Sequence, residues 1–213
     1  MNIKENQIII TNIATFTLLA ITGFSAPSIL LIYWLEAFLT GILNSIKMLI
    51  FGLRNQIKQD GIIKTIAKRA INILFFIIHY GGFVYGIAFF LSMMLITENA
   101  QNHLFSEINF LFIPVTIILF LKQNIIAVLP IIFERLKEFV NDSNNPKPTF
   151  YYMLSPYPKM IGMVLLVFIT TILFFFIQIP ILFLIINLFG KTIIEIMLNR
   201  IYSKNANYNL GNI

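Results

Sequence analysis

Six apolar stretches follow one another along this chain, and they leave few ways for it to fold other than as helices crossing a bilayer. They run over about 7–24, 28–53, 71–96, 108–133, 157–178 and 180–199. Each is close to the roughly 20 residues that span a 30 Å hydrocarbon core. Backbone N–H and C=O groups find no water at that depth, so such segments satisfy them internally as helices. The 213 residues are 58% hydrophobic and 11% charged, against about 25% charged in a soluble domain, and the mean hydropathy is +0.86. A soluble fold would lack the polar surface to cover such a core. The expectation is an all-α polytopic transmembrane bundle of about six spans, forming one domain over 1–213.

Proline and charge set the boundaries and the orientation. Ala26-Pro27 separates the first two stretches, Pro156-Tyr157-Pro158 opens the fifth, and Pro180 opens the sixth. A missing N–H costs nothing in a first helical turn. Segment 54–69 holds Arg54, Lys58, Lys64, Lys68 and Arg69 against one acid, Asp60, whereas segment 97–107 holds Glu98, His103 and Glu107 without Lys or Arg. Placing 54–69 in the cytoplasm also brings Lys4, Arg135, Lys137, Lys147, Lys159, Arg200 and Lys204 to that side. Lys and Arg concentrate on cytoplasmic loops, so both termini are expected inside a cell (inner) membrane. The net charge of +6 then reflects topology and lipid contact, and no nucleic-acid partner is implied.

Two segments admit a second reading. The first stretch could be a signal peptide cut near Gly23-Phe24-Ser25, but Phe24 and Pro27 suit such a site poorly and the apolar run is long for one; retention is expected. The fourth is interrupted by Lys122-Gln123-Asn124. A helix from 108 to 140 would be roughly 48 Å long, more than the core thickness. Its end therefore projects inward or lies on the surface. Ile125, Leu129, Ile132, Leu136 and Phe139 recur at helical spacing opposite Glu134, Arg135, Lys137 and Glu138, the pattern of an amphipathic surface helix. Residues 141–148 read as a turn-rich loop.

Charged groups at mid-bilayer are costly and need a partner or water. Tyr33, Glu36, Thr40, Asn44 and Lys47 fall within an arc of roughly 80° on the second helix. This stripe is expected to face the interior, with Lys47 snorkelling to the headgroups. The third stretch supplies His79, and the sixth places Asn187, Lys191 and Glu195 four residues apart on one face. Lys191 and Glu195 can pair within their helix. By rise per residue, Glu36 lies roughly 12 Å below the outer boundary, Lys191 about 16 Å, His79 about 20 Å, and Lys122 and Glu195 about 21–23 Å. Ionisable groups from four spans thus share a layer about 10 Å thick. It is read either as an ion-pair network fixing helix register or as a lined pathway. Gly82 and Gly86, four apart, are expected to let a neighbouring helix approach.

Several chemistries lack their residues. There is no cysteine and only two histidines, so no metal or haem set is expected, and no cofactor. HExxH and GxSxG are missing, and Gly190-Lys191-Thr192 lacks the upstream glycine of a phosphate loop.

The run YWLEAFLTGILNSIKM, from Tyr33 to Met48, followed by HYGGF at 79–83, resembles an uncharacterised bacterial and archaeal family of multi-pass membrane proteins, domain of unknown function family 6498. The positions that carry the resemblance are Tyr33, Trp34, Glu36, Gly41, Asn44, Lys47, Met48, His79, Tyr80, Gly81, Pro156, Tyr157 and Lys191. It covers about 28–200, and the stretch from Lys122 to Asn145 departs from the pattern. It implies a membrane fold and supplies no activity.

The leading functional expectation is binding or translocation of a small solute or ion past Glu36, Thr40, Asn44, Lys47, His79, Lys191 and Glu195, with Tyr33, Lys122 and Asn187 as further lining. The alternative is a non-catalytic membrane subunit or scaffold that holds a protein partner or a second copy. An intramembrane enzyme using Glu36 and His79 as acid and base ranks third, since no nucleophile accompanies them.

Overall fold

Helices fill almost all of the chain that can be described, as the apolar periodicity demands. The computed structural model describes residues 3–22, 26–51, 53, 57, 61–99, 112–144, 146–177 and 179–210. These residues form six long helices and one short one: α1 (Ile3–Thr22), α2 (Ala26–Ile50), α3 (Ile62–Asn99), α4 (Phe112–Asn144), α5 (Thr149–Leu154), α6 (Pro156–Ile177) and α7 (Pro180–Leu210). Pro156 and Pro180 each open a helix, as their missing N–H favours. Gly61, at φ +82°, precedes α3 in the left-handed conformation that glycine adopts without steric cost. Segment 100–111, with His103 and Glu107, and Arg54, Lys58 and Asp60 lie outside the described residues, as does the side chain of Lys122.

Contacts between helix ends fix the direction of each helix. Arg200 near the end of α7 donates to Glu5 at the start of α1 (Nε–Oε1 2.8 Å). Arg69 in the first part of α3 donates to the carbonyls of Met48, Leu49 and Phe51 at the end of α2, at 3.0, 3.0 and 2.8 Å. Those carbonyls lack intrahelical donors and carry the negative end of the helix dipole, which a buried guanidinium satisfies. Lys47 of α2 pairs with Asp142 near the end of α4 at 2.7 Å, and the Tyr202 hydroxyl donates to the Ser155 carbonyl just before α6 at 3.3 Å. The starts of α1, α3 and α6 and the ends of α2, α4 and α7 therefore share one end, called here the basal end. The long helices alternate in direction.

The fourth stretch departs from expectation. One helix, α4, runs through Pro130 to Asn144, so there is no separate surface helix, and Asn141–Asn144 is helical rather than loop. The face read as lipid-surface apolar is turned outward: Ile125, Leu129 and Leu136 are exposed, while Ala127, Val128, Ile131 and Arg135 are buried. At about 50 Å, α4 overreaches a hydrocarbon core. The sequence also gave no sign of α5, whose Tyr152 is buried against Phe51.

The bundle is polar within and apolar without. Glu36, Asn44, Lys47, Arg69, Arg135, Asn187, Lys191 and Glu195 are all buried, whereas Ile78, Phe168, Phe176 and Phe189 are each more than 60% exposed. Among the described residues three segments are long and apolar enough to cross a membrane: Ile62–Phe89, Thr149–Thr170 and Ile181–Tyr202. Phe16, Leu19, Ile32, Ala127, Ile131 and Phe183 pack α1, α2, α4 and α7 together, and Leu31, Trp34, Phe76, Tyr80 and Val84 pack α2 on α3.

Candidate functional site

Glu36 sits in the middle of α2, fully buried, where an unpaired carboxylate would cost several kcal/mol. Its Oε1 lies 2.6 Å from Arg135 Nη2 and 2.5 Å from Lys159 Nζ, and its Oε2 lies 3.1 Å from Lys191 Nζ. Glu195, one turn from Lys191 on α7, repeats the arrangement. Its Oε1 is 2.5 Å from Lys159 and 2.8 Å from Lys191, with Arg135 at 4.0 Å. Asn12 of α1 closes the group: it donates to Glu195 Oε2 at 2.7 Å and accepts from Lys191 at 2.5 Å. Arg135 also donates to Glu138 at 2.5 Å and has Glu134 at 3.7 Å. Four carboxylates (Glu36, Glu134, Glu195 and, at the exposed margin, Glu138) thus meet three cations (Arg135, Lys159, Lys191), drawn from α2, α4, α6 and α7.

The central layer read from the sequence therefore exists, with a changed membership. Glu36, Lys191 and Glu195 belong to it. Arg135 and Lys159, assigned to the cytoplasmic side by charge counting, turn into the cluster instead. Arg135 faces inward behind Ala127, Val128 and Ile131, and Lys159 extends inward from the first turn of α6. Asn12 and Glu134 were not foreseen either. Charge balance carried a signal for Arg135 and Lys159: two core carboxylates and one lysine leave a negative centre that another helix has to neutralise.

His79 does not join the cluster. It is on the exposed face of α3, stacked on Phe75 with Nδ1 2.9 Å from the Tyr157 hydroxyl. The expected close approach at Gly82 and Gly86 is also not seen among the described residues, where a Cβ at either would meet open space. Close approach occurs at Gly41, where a Cβ would come within 2.8 Å of the Tyr80 ring, and at Gly190, where it would collide with Leu166. Lys47 is not snorkelling: it is 5% exposed and paired with Asp142, beside the Tyr152 ring. Asn44 donates to the Tyr152 carbonyl at 2.9 Å. The Thr40 hydroxyl donates to the Glu36 carbonyl. Outward of the cluster, the Tyr33 hydroxyl donates to the Asn187 side-chain oxygen at 3.1 Å.

These charges close on one another. The space beside them is a crevice of about 10 Å³ lined by Glu36, Thr40, Tyr80, Pro156, Lys159 and Met160, room for about one water. Among the described residues no group of three or more His, Cys, Asp or Glu side chains is placed to hold a metal ion.

A family model described as a family of unknown function, DUF6498, matches residues 2–209. The chain belongs to DUF6498. No curated protein and no solved structure matches it. The DUF6498 match takes in every residue of the cluster, from Asn12 to Glu195.

Proposed function

We propose that this DUF6498 protein is a six-span integral membrane protein with both termini cytoplasmic, whose ion-pair cluster locks the bundle in one register. In this reading it acts as a non-catalytic membrane subunit or scaffold. One observation carries the proposal: buried charges from four helices neutralise one another and leave space for about one water beside them. Fixing register is the best-attested use of buried charge. The alternating helices, the apolar exterior and the exposed Lys4, Lys64, Lys68 and Arg200 toward the basal end support the topology, with the basal end cytoplasmic. Its mostly apolar outer faces are available to lipid, to a partner protein or to a second copy. Purification in mild detergent tests the scaffold role. A stoichiometric co-purifying protein is expected, and a lone stable monomer argues against it.

Translocation or binding of a small solute or ion is the second reading, favoured by the crevice that reaches the Glu36–Lys159 pair. It requires flux into liposomes that Glu36→Gln abolishes. The acid–base reading loses its geometry, because His79 lies on the exposed face of α3 and Glu36 in the interior.

A further inference from the structure

One turn of α2 toward the basal end from the crevice beside Glu36, hydrogen bonds from Asn44 form a latch. Thr40 lines the crevice, and Asn44 is the next residue on the same face of α2. Asn44 Nδ2 donates to the Tyr152 carbonyl of α5 at 2.9 Å and to Ser155 Oγ at 3.4 Å. Ser155 leads directly into Pro156, which is itself part of the crevice wall. The segment from α5 to Ser155 therefore adjoins, through Pro156, the space that reaches Glu36 and Lys159.

This segment owes little of its position to its own secondary structure. α5 has six residues, begins after Pro148 with no side-chain cap, and is followed by Ser155 and Pro156. A helix so short is unstable by itself. Contacts from elsewhere hold it: Asn44, the Tyr202 hydroxyl on the Ser155 carbonyl at 3.3 Å, the Tyr151–Tyr202 ring contact at 5.9 Å, and the burial of Tyr152 against Phe51. Within the segment leading to α5, the Lys147 N–H donates to the Tyr152 hydroxyl at 2.9 Å.

We infer that α5 and Ser155 form a lid latched by Asn44, and that its displacement opens the Glu36–Lys159 pair to water from the basal end. This goes beyond the register lock, and it supplies the access that the second reading needs. The chain contains no cysteine, so Thr40→Cys provides a unique thiol in the crevice wall. Its modification by a membrane-impermeant maleimide in vesicles that present the basal end outward reports access.

Adding Asn44→Leu is expected to raise the labelling rate about tenfold, the scale of losing the latch bonds. A Thr65→Cys thiol, buried in the basal part of α3, is expected to keep its rate in the same background. Equal Thr40→Cys rates with and without the latch overturn the lid, and so does an equal rise at both thiols, which marks general loosening. If Asn44→Leu does not fold, Tyr202→Phe removes the hydroxyl bond to Ser155 from the outer side of the segment. A rise of about threefold is then expected, and an unchanged rate overturns the lid. The register lock is judged separately, by unfolding.

Discussion

α3 and the helices around Glu36 are held by different physics. The cluster joins α2, α4, α6 and α7 through charges that each need several partners, with α1 contributing the Asn12 amide. α3 packs on α2 through Phe76, Tyr80, Val84 and Ala88, with the Trp34 N–H donating to the Val84 carbonyl at 3.0 Å and the Tyr80 hydroxyl to the Ala37 carbonyl at 3.0 Å. Charge is thus concentrated where helices surround it on every side. α3, with one face outward, relies on neutral contacts and on the Arg69 cap. In hydrocarbon this division is favourable, since neutral faces can meet lipid while charges cannot.

Removing one cation from the cluster breaks the comparison most severely. Arg135→Met leaves Glu36 short of a partner in the interior and is expected to destabilise the bundle by about 3–5 kcal/mol, read by unfolding in detergent. The paired change Arg135→Met with Glu36→Gln recovers part of that loss if the two are directly coupled. Additive losses sink the register lock. Arg69→Met, on the α3 side, is expected to cost less, about 1.5–3 kcal/mol, because it strips donors from carbonyls near a helix end without stranding a charge.

The class of fold was legible because length and apolar run are properties of sequence alone, and Pro156 and Pro180 marked their boundaries correctly. Within the site, depth along a helix was legible and facing was only partly so. Glu36, Lys191 and Glu195 were placed by depth and by spacing on their own helices. Arg135 and Lys159 were missed because a cation near a helix end satisfies loop placement and core pairing equally well until the neighbouring helices are known. His79 failed for the same reason: at cluster depth, α3 can present it inward or outward. The α4 pattern showed an apolar face opposite a charged one, but such a pattern fits a separate surface helix and the continuation of one long helix equally well. α5 was invisible, since its short run of Thr149–Leu154 is held by contacts with Asn44, Phe51 and Tyr202 that the sequence does not display.

A smaller effect tests how closely α2 and α3 are packed. A Cβ at Gly41 would lie 2.8 Å from the Tyr80 ring, and that ring is fixed by its bond to Ala37 and by stacking on Phe76 at 5.0 Å. Gly41→Ala is therefore expected to cost about 1–3 kcal/mol as overpacking, measured by the same unfolding assay. A neutral result would mean that the α2–α3 interface yields more readily than its hydrogen bonds indicate.

The smallest change belongs to the outer face of α3. A Cβ at Gly82 meets open space in this chain, so Gly82→Ala adds helix propensity without displacing a neighbour and is expected to shift stability by no more than about 0.5–1 kcal/mol, in the stabilising direction. That sign separates Gly82 from Gly41, although both are helical glycines in apolar surroundings. A loss of stability that appears only at high protein concentration would show that another copy seats on this face, because none of the described residues is there to clash. A loss independent of concentration would show that α3 packs differently from the arrangement described, and the contrast between the two kinds of helix would then fail at its outer member.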